Sequence, residues 1–252
     1  MRLPKSKAPL PDEIPSMAIR VMPWKCLVVL TRLFNSILRT GHFKEAWTLG
    51  KFIVLPKPSK DRHRPSSYHP ITLLSHVAKL FERLLLRKIV PHLPLRVKQF
   101  GFCSEHSTTL QLTRVLNLLA CEINRGRCTV GIFLDIEKAF DRVSHEGLVA
   151  KLLKTSLPQA IVRLLASFLA NRQFFVAVEN AESGIRSIKA GVPQGSCLSP
   201  RLYAAYTDEI PKLNESLQEW KEDIELALYV ISTGTPQHLP SRTTVLAYTS
   251  MA

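Results

Sequence analysis

This 252-residue chain contains no run of about 18 apolar residues, so no membrane-spanning helix is expected. Its first residues, Met1-Arg2-Leu3-Pro4-Lys5, lack the apolar core of a secretion signal. The five cysteines, Cys26, Cys103, Cys121, Cys128 and Cys197, are odd in number and form no C-x-x-C pair. That pattern argues against a disulfide framework or a zinc site and fits scattered thiols in a reducing compartment. The eight histidines include no H-x-x-x-H pair. Acidic residues are scarce: 20 Asp and Glu stand against 34 Lys and Arg, a formal charge of +14 with a pI near 9.8. Neither an internal repeat nor a low-complexity tract is present. The expected setting is intracellular, nuclear or cytoplasmic, with no secretion and no membrane partner.

What is present is enough apolar material for a substantial core, 46% of the residues, which excludes a disordered chain. The basic balance suits a polyanion, and nucleic acid is the commonest one. A helix is predicted over 16–40, broken or restarted at Pro23, which suits a first helical position, and stopped at Gly41. Lys51–Pro56 reads as a strand, followed by a basic loop to His69. Ser75 is positioned to cap a helix over 76–90 in which Val77, Leu80, Leu84 and Ile89 share a face. Further helices are expected over 107–125, 145–154, 158–170 and 198–212. Strands are expected over 128–136 and 225–231, with a hairpin of 172–179 and 184–189 turning at Ser183-Gly184. Residues 234–252 carry no periodicity. Mixed helices and strands with antiparallel pieces argue for an α+β class.

Two blocks stand out. One is Phe133-Leu134-Asp135-Ile136-Glu137-Lys138-Ala139-Phe140-Asp141, and the other is Gly191-Val192-Pro193-Gln194-Gly195-Ser196-Cys197-Leu198-Ser199-Pro200. Together they resemble signature blocks of reverse transcriptases, in particular those of jockey-type non-LTR retrotransposons. Three weaker matches support this. Lys7–Pro15 is similar to the family's K-A-P-G-P-D-G-I-P, with Leu10 and Glu13 in place of glycines. Ser66–Ile71 is similar to S-S-Y-R-P-I, with His69 for Arg. Gln99–Thr108 is similar to Q-F-G-F-R-x-x-H-S-T, with Cys103 for Arg. Neither His69 nor Cys103 can form the bidentate phosphate fork of a guanidinium.

The resemblance implies the fingers and part of the palm of a right-hand polymerase, an antiparallel palm sheet packed on helices, and no thumb. The boundaries it suggests are an extended basic arm over 1–15, a fingers-like region over 16–127, a palm-like region over 128–232 and an irregular tail over 233–252. The endonuclease that precedes the polymerase in whole elements is also expected to be missing. The implied partners are an RNA template, a DNA primer or other nucleic acid, and a dNTP; the oligomeric state is left undefined.

Nucleotide addition is an in-line phosphoryl transfer assisted by two divalent cations, Mg²⁺ or Mn²⁺, which want hard carboxylate oxygens. By resemblance Asp135 is the catalytic, metal-binding aspartate; read alone, it is also a strand-end residue able to cap a turn. Glu137 is a possible accessory ligand, with plain exposure at the strand end as the alternative. Phe140 matches the bulky residue beneath the incoming sugar, with ordinary core packing as the alternative. Gln194 and Gly195 match the segment that contacts the nascent base pair and template. Lys51, Lys57, Lys60, Arg62 and Arg64 are candidates for holding the triphosphate.

The family's third palm block, Y-A-D-D, is not matched. The chain reads Glu225-Leu226-Ala227-Leu228-Tyr229-Val230-Ile231-Ser232. Ile231 and Ser232 stand where paired aspartates belong, through substitution or through an internal deletion. Between the Gly191–Pro200 block and this stretch, Asp208 and Glu209 are expected to face solvent and to offer no replacement. The expected outcome is RNA-directed DNA synthesis that is lost or strongly impaired. The other readings are a non-catalytic nucleic-acid-binding protein derived from a retroelement, and a relic with no function.

Overall fold

The computed structural model describes residues 12, 14–56, 61, 63, 67–95, 99–103, 105–126, 132–133, 136, 138–178, 181–208 and 247–248. In chain order its elements are α1 (Ser16–Arg20), α2 (Trp24–Thr40), β1 (Leu49–Pro56), β2 (Tyr68–Leu73), α3 (His76–Ile89) and α4 (Thr108–Asn124). Then come β3 (Ile132–Phe133), α5 (His145–Leu153), α6 (Gln159–Leu169), β4 (Gln173–Val178), β5 (Ala181–Glu182), β6 (Arg186–Ser187), α7 (Ser199–Thr207) and β7 (Ala247–Tyr248). This is an α+β fold. The residues group into two compact units, Met1–Pro94 with Phe140–Tyr206, and Leu95–Ala139 with Thr207–Ala252.

Local chemistry explains most helix ends in the first unit. Pro23 has ψ 151°, an extended conformation, so it stands just ahead of α2 and not at its first helical position. Gly41 ends α2 with φ 65° and donates its N–H to Ile37 O at 3.0 Å. The Ser75 hydroxyl accepts from the N–H groups of Val77 and Ala78 at 3.2 Å, satisfying two orphan donors of α3. The buried face of α3 differs from the expected one: Val77, Ala78, Phe81, Glu82, Leu85 and Ile89 point inward, whereas Leu84 is exposed. The apolar surplus on α3 left two overlapping stripes open, and packing chose between them.

The core of this unit is built on aromatic rings from four places in the chain. Phe34 of α2 lies 5.2 Å from Phe81 of α3, and Phe43 lies 5.1 Å from Phe168 of α6. Trp47, in a 3-10 turn over Glu45–Trp47, joins Phe43 at 5.7 Å and Phe81 at 6.0 Å. Each such pair adds roughly 0.5–1.5 kcal/mol beyond the area it buries.

The sheet is mixed, not purely antiparallel. β1 pairs antiparallel with β2, from Lys51 opposite Leu73 to Pro56 opposite Tyr68. On its other edge β1 pairs parallel with β4, from Leu49 opposite Gln173 to Ile53 opposite Ala177. The strand returning from β4 comes in two pieces, β5 and β6. Val178 faces Ala181, so Ser183-Gly184 lies between the two pieces of the returning strand and not at the turn. Ser183 stays attached through its own atoms: its N–H donates to Val176 O at 2.9 Å, and its hydroxyl accepts from Val176 N at 2.9 Å.

In the second unit, Ser107 caps α4 by accepting from Leu110 N at 3.1 Å. β3 and β7 pair in parallel, Ile132 with Ala247 and Phe133 with Tyr248, so two residues of the expected tail belong to a sheet. The arm before residue 12 and the strand expected over 225–231 lie outside the described residues, as does most of the strand expected over 128–136. Among the described residues, no helix is long and apolar enough to cross a membrane.

Truncating Phe81 to Ala should cost about 3–5 kcal/mol of unfolding free energy, whereas Leu84→Ala should stay within about 0.5 kcal/mol as a surface change. Urea unfolding of the two variants checks the assignment of the buried face, and equal losses would contradict it.

Candidate functional site

Between β6 and α7 the chain must reverse and start a helix, and the segment Gly191–Ser196 does both. Gly191 has φ 93° and Gly195 φ 117°, a region that L side chains rarely adopt. Space imposes the same choice. A Cβ on Gly191 would lie 2.8 Å from Asp141 Cα and 2.9 Å from the carbonyl oxygens of Phe140 and Asp141. A Cβ on Gly195 would collide with the carbonyl oxygen of Thr72.

Backbone hydrogen bonds fix the segment on two sides. Gly191 N donates to Val143 O at 2.8 Å, and Val192 N donates to Phe140 O at 2.9 Å. His145 Nε2 lies 2.7 Å from Gly191 O; a carbonyl only accepts, so the ring proton sits on Nε2. From the sheet, Thr72 N donates to Gln194 O at 3.0 Å. Phe140, Gln194 and Gly195, three residues singled out from the sequence, are thereby brought into one neighbourhood. The Phe140 ring is half-buried and stacks on Tyr203 of α7 at 4.8 Å, with planes 13° apart. Gln194 is half-buried and Gly195 exposed.

A buried carboxylate holds the far end of the turn. Glu82, 1% exposed, accepts from the Ser196 hydroxyl at 2.7 Å and from Cys197 N at 2.6 Å. Ser196 Oγ in turn accepts from Leu198 N at 3.0 Å and Ser199 N at 3.3 Å, which satisfies the opening donors of α7. Burial pushes the Glu82 carboxyl above its usual range, against the opposing pull of the two hydrogen bonds and of the Arg172 and Lys79 charges. Arg172, also 1% exposed, is lowered by burial to about 10, with Glu82 working the other way. Its guanidinium lies 4.8 Å from the Phe168 ring centroid and donates to Phe168 O at 3.0 Å.

Sequence reasoning did not single out Glu82, Arg172 or His145. A signal for Glu82 existed: it sits between Ala78 and Leu85 on the apolar stripe of α3, where an acid has no business unless it has partners. No local pattern marks Arg172 or His145. Lys51, offered as a triphosphate cation, pairs with Glu182 at 3.1 Å and lies 5.8 Å from the Phe175 ring. Asp135, Glu137, Lys57, Lys60, Arg62 and Arg64 lie outside the described residues, as does the side chain of His69. Among the described residues, no group of three or more His, Cys, Asp or Glu could hold a metal ion.

The Gly191–Pro200 block, whose sequence resembles a reverse-transcriptase signature, forms a glycine-flanked turn clamped between the Phe140 segment and a β-strand and running directly into a capped helix. Comparison with known proteins agrees: the family described as reverse transcriptase (RNA-dependent DNA polymerase) matches residues 55–230, and the chain belongs to it. Within that family its similarity is to jockey-type, non-LTR elements. It is 36% identical over 253 residues to the RNA-directed DNA polymerase from mobile element jockey of Drosophila melanogaster, covering 99% of this chain and 27% of that protein. It is 38% identical over 221 residues to the probable RNA-directed DNA polymerase from transposon X-element of the same species, covering 86% and 24%. With the Pol polyprotein from type-1 retrotransposable element R2 of Popillia japonica it shares 26% over 174 residues, covering 69% and 24%. The chain thus spans about a quarter of the length of these relatives.

Two outcomes test the site. Gly191→Ala should destabilise by about 1–3 kcal/mol from backbone strain alone, and more once the collision with Asp141 is included, as read by thermal unfolding. The second concerns pH. Because the folded-state value of Glu82 is raised, its contribution to stability is complete below the unfolded value of 4.5 and is lost as pH rises through the folded value. Glu82→Gln does not titrate, so as pH rises above 4.5 the wild type should lose stability relative to this variant. A wild type that instead gains on Glu82→Gln with rising pH would reverse the sign assigned to this group.

Proposed function

We propose that this chain is the fingers and most of the palm of a jockey-type reverse transcriptase that keeps its nucleic-acid contacts and has lost nearly all RNA-directed DNA synthesis. Residues 16–127 serve as fingers and 128–232 as palm, with 1–15 an arm and 233–252 a tail. Gln194 and Gly195 face the template and nascent base pair, Phe140 lies beneath the incoming sugar, and Lys57 and Lys60 meet the dNTP phosphates. The partners are an RNA template and a DNA primer inside the cell, in nucleus or cytoplasm.

One observation carries the reading of impaired catalysis. The family match runs through the approach to the third palm block and ends at residue 230, and the next two residues are Ile231 and Ser232 instead of two aspartates. A pair of Mg²⁺ or Mn²⁺ ions needs several converging carboxylates. The donor set here is Asp135, an aliphatic side chain and a neutral hydroxyl. These residues do not fit two hard cations, and a nucleotidyltransferase step that depends on both is not supported. A loss of about 10⁴ in rate corresponds to a barrier raised by roughly 5.5 kcal/mol.

Nucleic-acid binding without catalysis is the second reading. It is favoured by the charge of +14, which needs no metal centre to attract phosphate.

Primer extension on a homopolymer RNA template, with Mg²⁺ or Mn²⁺, separates these readings. The chain should extend no better than Asp135→Ala, and the double change Ile231→Asp with Ser232→Asp should raise incorporation. Vigorous templated synthesis by the unaltered chain, abolished in Asp135→Ala, would overturn the proposal.

A further inference from the structure

From Ile14 to Lys44 the chain holds no carboxylate and five cations, Arg20, Lys25, Arg32, Arg39 and Lys44. Three of them, Lys25, Arg32 and Arg39, fall at i, i+7 and i+14 on α2. With 3.6 residues per turn this spacing sets them in one line along the helix, and at 1.5 Å per residue the line runs about 21 Å. The opposite face carries the buried Phe34 and Ile37. All three cations are exposed, and among the described residues none of them is paired with a carboxylate. Arg32 and Arg39 line an open groove of about 440 Å³ together with Asn35 and Leu38. Trp24, 77% exposed, stands next to Lys25 at the start of the helix.

We infer that this face of α2 is a track for the sugar-phosphate backbone of an RNA strand. The inference rests on the reading of the chain as a nucleic-acid-handling region of a polymerase, and it adds a surface that shares no residue with the Gly191–Ser196 turn. Charge complementarity is the main argument. A line of about 21 Å is long enough to follow several successive phosphates of one strand. Arg32 and Arg39 bring forked guanidiniums suited to phosphate oxygens. The Asn35 amide supplies a neutral donor for phosphate or sugar, and the Trp24 indole offers a stacking face that accepts any base.

An anionic membrane surface is the competing partner for a basic helix, and the distribution of apolar residues argues against it. A helix lying in a lipid interface needs its apolar face free to sink into the acyl boundary. In α2 the buried part of that face is committed to the core, Phe34 against Phe81 and Trp47 with Ile37 beside it, and Leu27 and Val29 alone remain exposed among its large aliphatic residues.

The test is a salt titration of binding between the whole chain and a fluorescent single-stranded RNA. The wild type is compared with the triple variant Lys25→Gln, Arg32→Gln, Arg39→Gln. A charge-matched control carries Arg87→Gln, Lys88→Gln and Lys154→Gln, all at exposed positions. With about 0.7 contributed per phosphate contact on a single strand, the α2 variant should show a log affinity against log salt slope shallower by about 2, and the control should change less. An unchanged slope in the α2 variant, with wild-type binding intact, overturns the inference while leaving the nucleic-acid reading standing. Absence of RNA binding by the wild type removes both. Should the triple variant fail to fold, ultraviolet crosslinking of wild type to the same RNA decides: adducts on the peptide holding Trp24 to Arg39 support the track, and adducts confined elsewhere overturn it. Binding of the wild type to phosphatidylserine vesicles in place of RNA also overturns it.

Discussion

A buried carboxylate that accepts two hydrogen bonds from the start of a loop-to-helix junction organises this molecule. Glu82 ties α3 to Ser196 and Cys197, and Ser196 passes the constraint on to the first N–H groups of α7. Placing a charge-bearing group in the interior is costly unless it is partnered. Here the partners are a hydroxyl, a peptide N–H and the nearby positive charge of Arg172, itself buried against the Phe168 ring. Loss of any one member leaves the others exposed to the same desolvation cost. The junction is therefore held by groups that lie outside its own sequence block.

The glycines of that block make sense only against this frame. Gly191 and Gly195 hold positive φ with backbone from two separate segments pressed against their Cα atoms. The turn is closed by Phe140 and Val143 on one side and Thr72 on the other. Gln194 and Phe140 are held near each other by these backbone contacts.

Much of the fold could be read from local patterns, and particular residues show why. Ser75 and Ser107 announce helix starts because a short hydroxyl satisfies orphan N–H groups within three residues of itself. Gly41 announces a helix end for an equally local reason. The turn at Ser183-Gly184 was not readable in this way. Its residues favour turns, yet hydrogen bonds to Val176 hold Ser183 alongside β4, between β5 and β6. Lys51 likewise has the character of a phosphate ligand in isolation, and the register of the sheet gives it Glu182 instead.

By itself the sequence determined most of the helices and the strands β1 and β4, the basic character, and the ancestry carried by Phe133–Asp141 and Gly191–Pro200, because each depends on residues adjacent in the chain, whereas β2 and β7 were not legible in it. It also places Ile231 and Ser232 directly after the stretch where the family match ends. Only the tertiary structure decided that β1 runs parallel to β4, that α3 buries Phe81 and Leu85 while exposing Leu84, and that Glu82 faces Ser196. Each of those outcomes joins residues that are distant in sequence. Local periodicity has no term for which of two apolar stripes meets a partner, or for which buried acid finds a donor more than a hundred residues away.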